Sequence, residues 1–155
     1  MAILGRYELL IVLAALAVLA VAGGIARFVR LIRLRENRLV EQLWEDLRFA
    51  EPLKSGHRLL LTLRMDSKEF ALLDKLLQDD SLPRLHVCLL APPWLAQAKQ
   101  AIWPNHAVQS GEQCESCRKI GSTGPRIFVV QGGVIRERSR EPFMYLKEWS
   151  RRTAP

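Results

Sequence analysis

Apolar and polar residues form several different patterns along the chain, and the first is a long apolar run. Every residue from 9 to 26 is Leu, Ile, Val, Ala or Gly. A run of this length reaches the lower limit for a helix that crosses a bilayer. Phe28, Val29, Leu31 and Ile32 extend it, while the arginines between them reach toward the headgroups. The pattern predicts one transmembrane helix.

A second pattern, with apolar residues at every third or fourth position, follows this run and ends near Pro52. It predicts an amphipathic helical connector, because arginine, glutamate and asparagine lie between the apolar residues. We expect its arginines to contact anionic lipid, and Trp44 and Leu47 to pack on the domain that follows. The apolar positions are Leu31, Leu34, Val40, Leu43, Trp44 and Leu47.

The rest of the chain alternates between compact apolar runs and helical spacing. Ser67 is the expected N-cap of the first helix, and Gly132 with Gly133 is the expected turn of a hairpin. Val108 is too isolated to place in an element. The predicted strands are 57–65, 85–90, 126–131 and 134–138, and the predicted helices are 70–77, 94–103, 112–120 and 143–149.

This order of elements predicts an α/β sandwich with a mixed central sheet, preceded by one transmembrane helix. The length of 155 residues leaves room for one small domain beside the membrane segment. We therefore divide the chain into a transmembrane helix with its basic flank, an amphipathic connector and a globular domain. The three parts are residues 1–35, 36–55 and 56–155.

The charge of the chain points to a membrane partner. Lys and Arg number 23 against 16 Asp and Glu, which gives a net charge of +7. Much of this charge lies directly after the apolar run and at the C-terminus. Neither cluster alternates with aromatic residues as nucleic-acid-binding surfaces do, so we predict no binding of nucleic acid. We expect Arg27, Arg30, Arg33 and Arg35 to contact membrane lipid.

The same charges predict the topology. Five arginines follow the apolar run and only Arg6 precedes it, which favours a single-pass inner-membrane protein with its domain in the cytoplasm. A periplasmic domain is the alternative. Gly23 and Gly24 would also suit a cleaved signal peptide, but Glu8 offsets the positive start that such a peptide needs. Small residues four positions apart, such as Ala20 and Gly24, allow a homodimer but occur in all membrane helices.

Cys114 and Cys117 form a Cys-x-x-Cys pair. This spacing suits a disulfide or two metal ligands, and the neighbouring Arg118 and Lys119 would favour a thiolate. In a reducing cytoplasm such a pair is more often catalytic or redox-sensing than structural. Incidental or structural cysteines are the remaining interpretation.

A zinc site is a weaker hypothesis, since a single Cys-x-x-Cys without a second pair is a poor zinc signature. Its candidate partners would be Cys88, His86 and His106, but His86 and Cys88 alternate on a predicted strand and are expected to lie together in the core. The sequence has no phosphate-binding glycine loop, no Gly-x-Ser-x-Gly and no His-Glu-x-x-His. We predict neither a metal nor a cofactor.

Residues 120–135 carry a resemblance to a known family. Their order, a short helix, Gly124 and Pro125, an apolar strand, a glycine turn and a second strand, resembles the thioredoxin-like superfamily. The single N-terminal membrane helix is similar to that of TlpA-like redoxins and of MauD-type proteins of methylamine utilisation. The resemblance implies a thioredoxin-like sandwich in which Pro125 is cis, faces the redox cysteines and helps a client peptide to pair.

The chain departs from this family at its catalytic position. The family keeps its Cys-x-x-Cys after the first strand, but here residues 65–70 hold no cysteine. Two hypotheses follow. The protein is a thiol-disulfide oxidoreductase or redox sensor that acts on a protein client through Cys114, Cys117 and Pro125. Alternatively it is a redox-inactive assembly or scaffold factor for a partner protein, as the MauD-type resemblance implies.

Overall fold

The computed structural model describes residues 2–153, with the side chains of 7–152. The chain divides into two compact units, Met1–Glu36 and Asn37–Pro155. The first helix, α1 (Ala2–Leu47), provides all of the described first unit and continues into the second. Its apolar part is exposed, and it is the one described helix long and apolar enough to cross a membrane, judged by length and composition.

The second unit is a mixed α/β domain with five strands in one sheet. The strand order is β3-β2-β1-β4-β5. Strands β1, β2 and β3 are parallel to one another, β4 is antiparallel to β1, and β5 is antiparallel to β4. The elements are β1 (His57–Arg64), α2 (Phe70–Leu77), β2 (Leu85–Leu90), α3 (Pro93–Ile102), β3 (Ala107–Ser110), α4 (Glu115–Gly121), β4 (Arg126–Gln131), β5 (Val134–Ser139) and α5 (Pro142–Thr153).

The register brings several loops to one edge of the sheet. Because β1, β2 and β3 are parallel, all three end there. Strand β4 is antiparallel to β1 and begins there, since Arg126 pairs with Thr62. We call this the carboxyl edge. Three segments adjoin strand ends at the carboxyl edge: the turn 65–69, the start of α4 and the Gly124–Pro125 pair.

Two apolar clusters fill the two faces of the sheet. Strand β1 is buried on both faces: Leu59 and Leu61 belong to the first cluster, and Leu60 belongs to the second. The first cluster includes residues of α2, α3 and α5. The second contains the end of α1 together with α4. Trp44 and Leu47 are buried in it, which confirms the prediction that they pack on the domain.

Three sequence predictions need correction. Ser67 is not the cap of α2: its amide donates to the Arg64 carbonyl in a tight turn, and the helix begins at Phe70 with Glu69 as N-cap. Val108 lies in β3, which is only four residues long and has partners on one side alone. Helix α4 begins after Cys114 rather than at residue 112.

The hairpin prediction is confirmed. Gly132 and Gly133 join β4 to β5 with φ values of 60° and 80°. Two consecutive residues with positive φ define the turn type whose twist matches the flanking strands, and glycine adopts it without steric cost.

Candidate functional site

Cys114 is positioned by the turn that enters α4. It is the N-cap of this helix in an extended conformation, and its Sγ accepts a hydrogen bond of 3.2 Å from the Cys117 amide. The Cys114 thiol also donates to Oδ2 of Asp46, at the end of α1, over 3.6 Å. Only 9% of Cys114 is exposed. Cys114, the first cysteine of the pair, is therefore covered in part by the end of α1.

Cys117 is completely buried in the second cluster and contacts a third cysteine. The Cys88 thiol, on β2 in the same cluster, is near enough to raise the pKa of Cys117, and Cys88 Sγ and Cys117 Cβ both lie beside Gly111. The sequence predicted Cys88 to be a core residue with His86, and both are buried. It did not predict the contact with Cys117, because nothing in the local pattern relates β2 to α4. All three cysteines are free thiols.

The surroundings hold both members of the Cys-x-x-Cys pair as protonated thiols. Burial, and then the hydrogen bond with the Cys117 thiol, raises the pKa of Cys114 to about 12, and the Asp46 carboxylate acts in the same direction. The Cys88 thiol and burial raise the pKa of Cys117 further. The expectation of a thiolate favoured by Arg118 and Lys119 is not met, since Lys119 pairs with Glu115 at 2.7 Å.

Pro125 lines a pocket of about 420 Å³ at the carboxyl edge, together with Arg64, the 66–69 turn and Arg140. Neither Cys114 nor Cys117 is among the lining residues. Pro125 therefore shares this pocket with the 66–69 turn, which contains no cysteine, and not with Cys114 or Cys117.

The expected cis bond at Pro125 is not present. Among the described residues no peptide bond is cis, so Gly124 and Pro125 are joined by a trans bond. Gly124 has a φ of 96°, a conformation that glycine adopts easily, and it reverses the chain before β4. Trans is also the usual state of a bond before proline.

A second pocket, of about 350 Å³, adjoins the first through their shared residue Arg64. Its lining includes Leu90 at the end of β2, and Arg118, Gly121 and Ser122 of α4. Arg64 itself is held by two hydrogen bonds to Asp66, of 3.0 and 2.9 Å. This pairing lowers the pKa of Asp66. The two pockets give the carboxyl edge a mixed-charge surface around one fixed arginine.

Two polar atoms beside Pro125 are buried without a hydrogen-bond partner among the described residues: Ser67 Oγ and Glu69 Oε2. Buried polar atoms usually have a partner, so these two leave hydrogen-bonding capacity unused in the 66–69 turn. The sequence pattern did not indicate this for either residue, because it placed Ser67 at a helix cap and Glu69 in the first turn of the helix.

The residues of the zinc hypothesis are not arranged as a metal site. Within residues 7–152 no group of three or more His, Cys, Asp and Glu side chains is placed to hold a metal ion. The Nε2 atom of His86 lies 3.1 Å from a Glu51 oxygen, with the rings of Trp44 and Phe49 beside it. His106 accepts a hydrogen bond of 3.1 Å from the Leu85 amide.

These two histidines predict that the domain loses stability in mild acid. Burial lowers the pKa of both His86 and His106, so the folded protein keeps them neutral while the unfolded chain protonates them below about pH 6.5. The free energy of unfolding should therefore fall as the pH drops from about 7.5 to 5.5, measured by urea unfolding. His57, which is exposed, provides the control: His57→Gln should keep this dependence and His86→Gln should reduce it. A flat profile in the unchanged protein would contradict the assignment.

Gly111 predicts a steric requirement at the cysteines. A Cβ atom at this position would lie 2.5 Å from Cys88 Sγ and 2.9 Å from Cys117 Cβ, closer than van der Waals contact. Gly111→Ala should therefore lower the free energy of unfolding by about 1–3 kcal/mol, as measured in urea. Cys88→Ala removes the nearer of the two atoms, so the Gly111→Ala penalty should be smaller in that background. An equal penalty in both backgrounds would show that the crowding is not at Cys88.

The chain matches no known family model, no curated protein and no solved structure. A proposal about function therefore depends on the geometry of the described residues. That geometry gives two candidate sites, the open pocket that contains Pro125 and the buried cluster that contains the cysteines.

Proposed function

We propose that the protein is a membrane-anchored, thioredoxin-like module that binds a partner protein at its carboxyl edge without exchanging disulfides with it. The thioredoxin-like assignment is supported by the order of elements: β1 leads through the 66–69 turn to α2, and Gly124 and Pro125 lead into the β4–β5 hairpin and α5. In the resembled family, the first of these junctions holds the redox cysteines and the proline faces it.

One observation carries this proposal. The pocket between the 66–69 turn and Pro125 is open and has no thiol in its lining, whereas Cys114 and Cys117 are buried and kept protonated by their raised pKa values. A thiol that exchanges with a client must be exposed and partly ionised. These features support a binding position like that of the resembled family, without its reactive group.

A protein partner fits the surface around this pocket. Met65, next to the pocket residue Arg64, is exposed, and methionine and arginine are both enriched at protein interfaces. The exposed Asp66 and Lys68 side chains in the pocket lining can respectively accept hydrogen bonds from a bound chain and donate them to it. The neighbouring pocket at Leu90 and Arg118 extends this surface along the carboxyl edge.

Helix α1 is the proposed anchor. Its charge-free segment is long enough to cross a membrane, and we place the domain on the cytoplasmic side of the inner membrane because arginines crowd the following turns. Arg27, Arg30, Arg33 and Arg35 would then meet anionic headgroups. The anchor would keep the carboxyl edge close to partners in or at the membrane.

Site-specific photo-crosslinking in cells tests the binding surface. A photoreactive residue replaces Lys68, at the pocket, and in a matched control it replaces Lys147, on α5. We expect a discrete crosslinked product from position 68, none from position 147, and loss of the product in Arg64→Glu. Equal products from both positions, or a product that survives Arg64→Glu, would contradict binding at the carboxyl edge.

A second function, thiol-disulfide exchange or redox sensing, has one observation in its favour. Cys114 caps α4 and accepts a hydrogen bond from the Cys117 amide, so the two side chains already lie together. A measurable, reversible reduction potential of this pair would support it. Asp46 and the apolar cluster cover the pair. Because of this cover, redox sensing after a local opening is better supported than thiol-disulfide exchange.

A further inference from the structure

Cys88 is a third thiol in the same buried cluster, and it touches the Cys-x-x-Cys pair. Cys88 and Cys117 are both completely buried, and Cys114 is nearly so. Cys117 adjoins both of the others: its amide donates a hydrogen bond of 3.2 Å to Cys114 Sγ, and its Cβ lies with Cys88 Sγ beside Gly111. Cys117 is therefore the cysteine that neighbours both of the other two.

The backbone beside Cys88 and Cys117 leaves room for the two side chains to approach each other. Gly111 donates its amide to the Leu89 carbonyl over 2.8 Å, which holds the turn against the end of β2. Its missing Cβ would lie 2.5 Å from Cys88 Sγ and 2.9 Å from Cys117 Cβ. Cys88 and Cys117 thus converge on a single point that any larger residue would occupy. A disulfide can form only where the side chains of two cysteines approach each other.

We propose that Cys117 is the shared member of two alternative disulfides, Cys114–Cys117 and Cys88–Cys117, so that the buried cluster is an internal site of thiol-disulfide exchange. This oxidisable site is separate from partner binding at the carboxyl edge, and neither depends on the other. It extends the second candidate function to a residue outside the Cys-x-x-Cys pair.

The exchange balances with a low-molecular-weight disulfide such as oxidised glutathione as the oxidant. The Cys114 thiolate attacks one glutathione sulfur, forms a mixed disulfide and releases the first glutathione thiolate. Cys117, deprotonated, attacks the Cys114 sulfur and releases the second. The Cys88 thiolate then attacks the Cys117 sulfur, and Cys114 leaves as a thiolate and is reprotonated. Overall, two thiols lose two protons and two electrons, and two glutathione molecules are formed.

Exposure decides the order of these steps. Cys114 retains 9% of its surface, while Cys88 and Cys117 have none, so the oxidant reaches Cys114 first. After the last step the disulfide lies between the two shielded residues and Cys114 is a free thiol again. An oxidising equivalent that enters at the surface is thus stored in the core, where external thiols reach it slowly.

Disulfide mapping of the full-length protein in detergent micelles tests this exchange. The protein is incubated with oxidised glutathione until its thiol content is constant, the remaining thiols are blocked, and peptides are mapped by mass spectrometry. We expect both linkages in the unchanged protein, only Cys88–Cys117 in Cys114→Ala, and only Cys114–Cys117 in Cys88→Ala. Cys117→Ala should form neither.

A parallel sample controls for the limited access of the oxidant to the buried thiols. Because Cys88 and Cys117 are shielded, each protein is also refolded from urea in the same glutathione buffer, which gives the oxidant access before the core closes. If the unchanged protein lacks the Cys88–Cys117 linkage both after direct oxidation and after refolding, the proposal is overturned, whichever linkages the variants form. Crosslinking from position 68 in cells reports partner binding separately, so the failure of one proposal is distinguishable from the failure of the other.

Discussion

A fragment that begins at Gly56 is expected to remain unfolded, whereas a fragment that begins at Asn37 is expected to fold. The shorter fragment lacks the end of α1 and the following loop, which provide six buried apolar side chains of the second cluster. Burial of each such side chain contributes about 1.5–3 kcal/mol, and a whole domain is stable by only about 5–15 kcal/mol. The six are Val40, Leu43, Trp44, Leu47, Phe49 and Leu53.

Circular dichroism and urea unfolding of the two fragments check this prediction, and a pair of leucine variants provides its matched control. In the longer fragment, Leu43→Ala should lower the free energy of unfolding by about 2–5 kcal/mol, because Leu43 is fully buried. Leu72→Ala, at an exposed position of α2, should change it by about 0.5 kcal/mol or less. Cooperative unfolding of the fragment that begins at Gly56 would show that the end of α1 is not part of the core.

Cys114 in the folded, reduced protein is expected to react with iodoacetamide on the order of 10³-fold more slowly than in the unfolded chain at about pH 8. The thiolate is the reacting form, and burial together with the Cys117 thiol raises the pKa of Cys114 to about 12. An ordinary cysteine has a pKa of about 8.5. The difference in thiolate fraction accounts for the difference in rate, and limited access slows the reaction further.

The pH dependence and one charge-neutral variant separate these causes. Between about pH 8 and pH 11 the rate should rise about tenfold per unit, since the thiolate fraction does. Asp46→Asn removes a carboxylate 3.6 Å from the sulfur, and should accelerate alkylation by less than about tenfold, because burial is the larger cause. Alkylation by mass spectrometry measures both. A folded-state rate equal to that of the unfolded chain would contradict the protonated thiol and favour an exchanging enzyme.

Much of the fold follows from local patterns. Strands β2 and β4 have the predicted bounds, and α2 contains the apolar positions predicted for it within 70–77, although Ser67 does not cap it. Apolar periodicity succeeds here because it records which face of an element is buried. The hairpin after β4 follows from Gly132 and Gly133, which permit a backbone that other residues adopt at a cost. Prediction succeeds where one short segment contains its own physical cause.

The rest depends on contacts between distant segments. Strand β3 gains its hydrogen bonds from β2, which the four residues around Val108 do not reveal. The contact of Cys88 with Cys117 arises because β2 and α4 meet at Gly111, an arrangement of three separate segments. Pro125 shares a pocket with the 66–69 turn, which is distant from it in sequence, because β4 pairs with β1.

Photo-crosslinking from position 68 in a variant that carries both Cys114→Ser and Cys117→Ser tests most directly whether partner binding is independent of the thiols. The account predicts the same crosslinked product, in the same yield, as in the protein with both cysteines, because the lining of the Pro125 pocket includes neither of them. Loss of the product in the serine variant, with the domain still folded, would contradict the account and show that the cysteines take part in binding the partner.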